Sequence, residues 1–111
     1  MTDPDPNPEM TKRLKLHDIL TGFLPTGKKA YFQEPPTVDM GYPCILYPRD
    51  YVRTRYADNL PYSHAKRYLI TVIDRDPDSV IPDKVGKMPY ALFNRFYVAD
   101  NLNHWVYNLY F

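Results

Sequence analysis

The fold is decided by residues 66–84, which read Lys-Arg-Tyr-Leu-Ile-Thr-Val-Ile-Asp-Arg-Asp-Pro-Asp-Ser-Val-Ile-Pro-Asp-Lys. Aromatic and β-branched residues from Tyr68 to Ile73 predict a strand, because such side chains pack well on a pleated sheet. Apolar residues occupy both faces of this strand, which is typical of a central strand covered on both sides. The strand should end near Asp74, where a run of aspartates interrupted by a proline begins.

A helix is predicted on the N-terminal side of this stretch, over residues 8–23. Asn7 and Pro8 have the character of an N-cap and a first-turn proline, and Gly22 and Pro25 mark the helix end. Its apolar side should carry Leu14, Leu16, Ile19, Leu20, Phe23 and Leu24. Residues 1–8 alternate Asp, Pro and Asn, which predicts a flexible arm ahead of a single domain at 9–111.

Shorter strands are predicted on either side of the central one, at 30–33, 44–47, 51–56, 92–98 and 105–111. Strand 51–56 should pair with the central strand, so that residues 51–74 form a long projecting hairpin. Residues 99–103 should join the last two strands. A short helix should begin at Pro82. This order predicts an α+β fold, an antiparallel sheet with the N-terminal helix and the second short helix packed on one face.

The composition excludes several classes of protein. The chain has 111 residues and a formal net charge of +1, which gives no global signature of nucleic-acid binding. Its single cysteine, Cys44, cannot form an intramolecular disulfide. No apolar run approaches the length of a membrane span, and the N-terminus lacks a signal peptide's pattern, so we expect a soluble protein. The eleven tyrosines exceed the needs of a small core, and they indicate either protein contacts or the lining of an exposed sheet.

The sequence carries no recognisable catalytic or metal-binding motif. A calcium loop starting at Asp74 would need glycine and glutamate where the chain has Ser79 and Val85. The three histidines lack a paired metal-ligand spacing, and Cys44 is expected to be a packed thiol. There is no glycine-rich phosphate loop. We therefore expect no enzyme activity, no metal and no cofactor.

Two groups of residues are candidate interface sites. The first lies on the predicted hairpin, where basic residues are interleaved with tyrosines; its members are Tyr51, Arg53, Arg55 and Tyr56. Such a pattern can bind nucleic acid or anchor a protein contact, and the balanced net charge favours the protein contact. The second group should either pack against a neighbouring subunit or cap turns within one protomer; its members are Asp74, Arg75, Asp76 and Asp78.

Five segments of the chain together carry a family resemblance. They are residues 31–36 (Tyr-Phe-Gln-Glu-Pro-Pro), 42–45 (Tyr-Pro-Cys-Ile), 47–50 (Tyr-Pro-Arg-Asp), 72–79 (Val-Ile-Asp-Arg-Asp-Pro-Asp-Ser) and 96–104 (Phe-Tyr-Val-Ala-Asp-Asn-Leu-Asn-His). In this order they resemble the tail terminator, or tail completion, proteins of bacteriophages with long non-contractile tails. The resemblance covers the chain from about residue 10 onward. Other neck proteins of similar size, such as the head-completion or stopper protein, are the nearest alternative.

The resemblance implies a structural protein of the virion neck, made in the host cytoplasm. Its α+β protomers would assemble as a hexameric ring on the last ring of the tail-tube protein, stop tube polymerisation and join the tail to the head-side connector. Genomic DNA would pass through the lumen without sequence-specific binding. Exposed acids would let the DNA slide; the candidates are Asp58, Asp76, Asp78 and Asp100. A nucleic-acid-binding module that uses the arginine–tyrosine hairpin is the alternative from another class.

Overall fold

The computed structural model describes residues 8–33, 41–50 and 66–111. These residues form two helices and five strands: α1 (Pro8–Gly22), β1 (Ala30–Tyr31), β2 (Cys44–Leu46), β3 (Arg67–Asp74), α2 (Ile81–Gly86), β4 (Ala91–Ala99) and β5 (Leu102–Tyr110). The strands make one sheet in the order β1-β2-β3-β5-β4. The predicted α+β fold is therefore confirmed.

The sheet is mostly antiparallel, with one exception that the sequence patterns do not predict. β2 pairs with β3, β3 with β5 and β5 with β4 in antiparallel fashion, whereas β1 pairs with β2 in parallel. A parallel pair needs a long connection between its strands, and residues 32–43 supply one. β2 ends at Leu46, one residue earlier than predicted, shortly before Pro48, which lacks the N–H that a sheet interior requires.

β3 lies in the middle of the sheet, as its sequence predicted. It has β2 on one side and β5 on the other, so its backbone hydrogen-bonding groups are used on both edges. Tyr68, Ile70 and Val72 point to one face and are fully buried. Ile73, on the opposite face, is also buried. Leu69 and Thr71, on the same face as Ile73, are only partly buried, so the expected cover on both faces is complete on one face alone.

Both helices pack on the face of the sheet that carries these three β3 residues. α1 contributes Leu16 and Leu20, and Leu24, just after the helix, continues their four-residue spacing. α2 contributes Ile81 and Val85. Leu14 and Ile19 were predicted on the apolar side of α1 but are exposed, because they lie off this stripe. The sheet residues in the same core are Ala30, Ile45, Tyr47, Tyr68, Ile70, Val72, Tyr107 and Leu109.

β4 and β5 form a hairpin with a tighter connection than the sequence suggested. Only Asp100 and Asn101 lie between the strands, with φ values of 55° and 62°. Asp and Asn tolerate this left-handed conformation better than most residues, and a two-residue turn of this kind matches the twist of its strands. Of the hairpin predicted at 51–74, residues 51–65 lie outside the described residues, so it stays a prediction.

Candidate assembly interface

β4 forms one edge of the sheet, and its sequence is unusual for that position. Its nine residues read Ala-Leu-Phe-Asn-Arg-Phe-Tyr-Val-Ala. Among residues 8–33, 41–50 and 66–111, β5 is the strand that pairs with β4, and no strand pairs with its outer edge. Natural proteins usually protect such an edge with charges, prolines or a short strand. β4 has one charged residue, Arg95, and no proline.

The register with β5 assigns the β4 side chains to two faces. Phe93 lies opposite Tyr107 and Phe96 opposite Trp105, so both phenylalanines point to the helix-covered face of the sheet. A register shift between Phe93 and Arg95 marks a β-bulge, which lets two aromatic residues three positions apart share that face. Tyr97 lies opposite His104 on the other face.

Both faces of β4 are open to solvent. Every residue from Leu92 to Ala99 is exposed, and the exposed fraction reaches 64% for Leu92, 58% for Phe93 and 59% for Val98. On the helix side, Met88 and Ala91 pack against the core, but the helices leave Phe93 and the residues after it largely uncovered. A monomeric protein rarely exposes so many neighbouring large apolar side chains.

Cross-strand aromatic contacts hold these side chains in defined positions. The ring centroids of Phe93 and Tyr107 are 5.5 Å apart in an edge-to-face arrangement. Phe96 and Trp105 are 5.4 Å apart. On the opposite face, the rings of Tyr97 and His104 stack at 4.5 Å, and the Arg95 guanidinium carbon lies 5.2 Å from the Tyr97 ring centroid. The exposed surface is therefore ordered before any partner arrives, which lowers the entropy cost of a contact.

A groove lies at the base of β4, between α1 and the connection from α2. We call it the base groove; its apolar residues are Ile19, Met88, Pro89, Tyr90, Tyr110 and Phe111, and Lys12 and Lys15 also line it. Its volume is about 490 Å³. The main-chain oxygen of Tyr90, the residue just before β4, accepts a hydrogen bond from the Tyr110 N–H across the groove. The groove is apolar and carries positive charge from α1.

The predicted aspartate group forms a turn at the end of β3. The Asp74 carboxylate accepts a hydrogen bond from the Asp76 N–H at 3.1 Å, and the Asp76 carboxylate accepts one from the Asp78 N–H at 2.9 Å. Arg75 lies over the Tyr42 ring at 6.0 Å. These hydrogen bonds cap the turn, which is one of the two roles predicted for this group. Contact with a neighbouring subunit stays a prediction.

The same turn is tied to the β4–β5 hairpin. The Asn103 side-chain amide donates to the main-chain oxygens of Asp74 and Arg75, both at 3.2 Å. Among the described residues, no group of His, Cys, Asp or Glu side chains is arranged to hold a metal ion. The hydrogen bonds of Asn103 thus tie the aspartate turn to the start of β5, next to the tip of the β4–β5 hairpin.

The other predicted interface group lies outside the described residues. Its members are Tyr51, Arg53, Arg55 and Tyr56, and the group stays a prediction. Nearby basic residues have partners within the protomer. Arg49 donates to the Tyr68 hydroxyl at 3.2 Å, and Arg67 lies 3.3 Å from the Asp50 carboxylate.

Two groups in and beside β2, Cys44 and Tyr47, have raised pKa values. Burial, and secondarily the Asp74 carboxylate, raises the pKa of the Cys44 thiol to about 11. Burial also raises the pKa of Tyr47, whose hydroxyl lies 2.7 Å from Nδ1 of His17. Cys44 is fully buried and free, as predicted from its surroundings. Both groups are held in their neutral forms, which is consistent with a packing role rather than a catalytic one.

The exposed surface of β4 was missed by the sequence reasoning, although a signal was present. Leu92, Phe93, Phe96, Tyr97 and Val98 make β4 apolar on both faces, the same feature that identified β3 as central. A strand that is apolar on both faces normally lies inside a sheet and is buried, whereas β4 lies at the edge, where none of the elements that the structure describes buries it. That mismatch can be recognised only once the strand order is known.

Comparisons with known proteins add no identification. No protein-family model matches the chain, and no curated protein or solved structure shows significant similarity to it. Within the described part of the chain, neither helix has the length and apolar character needed to cross a bilayer. Function must therefore be inferred from the surface of the molecule itself.

Proposed function

We propose that this protein is a structural subunit that assembles with copies of itself through β4, and that the assembly is the tail terminator ring of a phage with a long non-contractile tail. The observation that carries the proposal is β4, an edge strand that is apolar and exposed on both faces. Covering half of one Leu or Phe side chain contributes on the order of 1 kcal/mol. Five such residues along one strand supply the energy of a specific contact.

The chemistry of β4 favours a protein partner over a small molecule or nucleic acid. Interface centres are enriched in aromatic residues and arginine and depleted in other charges. β4 follows that composition, with Phe93, Phe96 and Tyr97 around a single Arg95. A strand edge also offers main-chain hydrogen bonds to a strand of another chain.

The terminator role rests on the residues that carry the resemblance. Segment 96–104 spans the tip of the β4–β5 hairpin, and segment 72–79 spans the end of β3 and the aspartate turn. The Asn103 amide, which belongs to the first segment, hydrogen-bonds the second. The two longest segments of resemblance are thus one connected part of the molecule. We propose that this part contributes to the ring.

A ring with two different faces explains how such a protein would stop growth. One face copies the contact that the last tail-tube ring makes, and the other face does not, so no further tube subunit can add. The second face is then available to the head-side connector, and the DNA passes through the lumen. Near-neutral charge, at +1 for the chain, is compatible with a lumen that does not hold DNA tightly.

The test is to measure the mass of the purified protein by light scattering, and to examine it by electron microscopy with and without tail tubes made from the tube protein of the same genome. We expect a six-fold ring, alone or at tube ends. Rings that bind the head connector and ignore tubes would instead indicate a head-side neck protein. A persistent monomer that binds DNA in low salt would overturn the proposal in favour of a nucleic-acid-binding module.

A further inference from the structure

We infer that the tip of the β4–β5 hairpin of one copy docks in the base groove of the next copy, in a head-to-tail contact. The partner that this surface fits is therefore a second copy of the same chain. The inference rests on the proposed self-assembly and goes further, because it assigns the two surfaces that meet.

The base groove offers an apolar floor with positive charge beside it. Ile19 is exposed in the free protomer although it is a large apolar residue, and Phe111 lines the same groove. Lys15 of α1 is exposed and also lines it. A volume of about 490 Å³ lies within the range of roughly 300–1,000 Å³ found for ligand pockets, and it can receive a few side chains.

The hairpin tip has the complementary chemistry. Val98, at the end of β4, is 59% exposed. Asp100 follows in the turn, and it is the only Asp, Glu, Lys or Arg between Arg95 and the end of the sequence given. The tip is thus an apolar strand end that carries one carboxylate. It matches a groove that is apolar and carries lysines.

The distance between the two surfaces excludes docking within one copy. Tyr90, in the groove, directly precedes β4, and Asp100 directly follows it, so the two are separated by the nine residues of the strand. A strand of that length spans about 30 Å. β4 is held in register by β5 along this length, so the tip cannot fold back onto its own groove. A second copy is required, and the contact joins unlike surfaces, as a ring requires.

The alternative contact between two copies is a symmetric pairing of their β4 edges, and its chemistry is poor. A two-fold axis at Arg95, near the middle of β4, would place the two Arg95 side chains opposite each other, which is destabilising. The β-bulge between Phe93 and Arg95 also interrupts the regular edge at that point. Both features favour the head-to-tail contact.

The test uses single cysteines in a Cys44→Ala background, with Ile19→Cys in the groove and Val98→Cys at the tip. Equal amounts of the two variants are mixed at a concentration where the parent assembles, alone or on tail tubes, and treated with a short bismaleimide. We expect a mixed cross-link between the two variants. Val80→Cys is the matched control, since Val80 is 63% exposed but lies on neither surface, and it should cross-link with neither variant.

Charge exchange gives a second readout. Lys15→Glu should weaken association by about fivefold, in proportion to the loss of one partly exposed ion pair. Asp100→Lys in the same chain should restore part of that loss. Asp100→Asn serves as the control for the turn, because Asn accepts the same backbone conformation.

The outcomes separate this inference from the proposed function. Rings without the mixed cross-link would overturn the head-to-tail docking while leaving self-assembly intact. Cross-links between two Val98→Cys copies only would replace it with a symmetric β4 contact. Cross-linking of Ile19→Cys to the tube protein would assign the groove to that partner instead. Failure of the unsubstituted chain to assemble, alone or with tail tubes, would remove both the proposed function and the inference.

Discussion

β3 and β4 flank the same strand, β5, and have closely related chemistry, yet the fold treats them in opposite ways. β3 has eight residues and β4 has nine, and both carry apolar side chains on both faces. In β3 the side chains of Tyr68, Ile70 and Val72 are fully buried. In β4 every residue after Ala91 is exposed. The apolar pattern of a strand therefore indicates how much burial it requires, whereas its position in the sheet determines how much of it is buried.

The two strands differ in burial because they have different neighbouring elements. β3 has a paired strand on each edge and both helices on one face. β4 has β5 on one edge, and only its base packs against the core, through Ala91 and the neighbouring Met88. We conclude that apolar residues on β3 stabilise the protomer, whereas those on β4 are available to stabilise an assembly.

The largest expected effect is on the covered strand. Ile70→Ala should lower the free energy of unfolding by about 2–5 kcal/mol, because it leaves a cavity in the core under the helices. Leu92→Ala, the matched change on β4, should cost less than about 0.5 kcal/mol in a dilute monomer. Urea unfolding followed by the fluorescence of Trp105, the single tryptophan, measures both. Equal losses at the two positions would contradict the distinction between the strands.

A second change tests how much the turn between β4 and β5 contributes to the stability of the protomer. Asn101→Val should lower the free energy of unfolding by about 1–2 kcal/mol, because a β-branched residue is strained at a φ of 62°. Asn101→Gly should be neutral or slightly stabilising. Thermal unfolding followed by circular dichroism tests this pair. If Val is tolerated as well as Gly, the turn does not have the conformation described.

A third change compares a covered tyrosine with an open one. Tyr47→Phe should lower the free energy of unfolding by about 1 kcal/mol, since it removes the hydrogen bond with His17 inside a partly buried contact. Tyr97→Phe on β4 should leave monomer stability unchanged, because Tyr97 is exposed and uses its ring, stacked on His104. Urea titrations of both variants test the comparison. A larger loss at Tyr97 would show that β4 contributes more to the protomer than its exposure indicates.

Much of this fold can be predicted from local patterns, and the exceptions have physical reasons. The β3 sequence, the leucines of α1 and the proline of α2 act within a few residues, so they predict a central strand and two helices. The parallel pairing of β1 and β2 depends on a distant register that no local pattern encodes. The candidate interface on β4 was missed for the same reason, because its strand chemistry can be read locally but its edge position cannot.

The difference in burial between β2 and β4 should also appear in the reactivity of a cysteine placed on each strand. Cys44 on β2 is fully buried, and its thiol has a pKa of about 11. At pH 8 its thiolate population should be about a hundredfold below that of a thiol with the ordinary pKa of 9.0. A cysteine placed at Val98 on β4 should react at the rate of an exposed thiol. Alkylation followed by mass spectrometry measures both rates in one double-cysteine chain, and equal rates would contradict the burial of Cys44.

The same thiol gives a prediction for the pH dependence of stability. Because folding raises the thiol pKa from 9.0 to about 11, the folded state holds its proton where the unfolded chain loses it. The stability is therefore fully present below pH 9 and falls as the pH rises toward 11. Cys44→Ala should make that fall shallower, with Tyr47 and Tyr107 accounting for the remainder, since burial raises the pKa of each. Urea midpoints between pH 8 and pH 11 test this, and an unchanged slope in the variant would show that the thiol does not contribute.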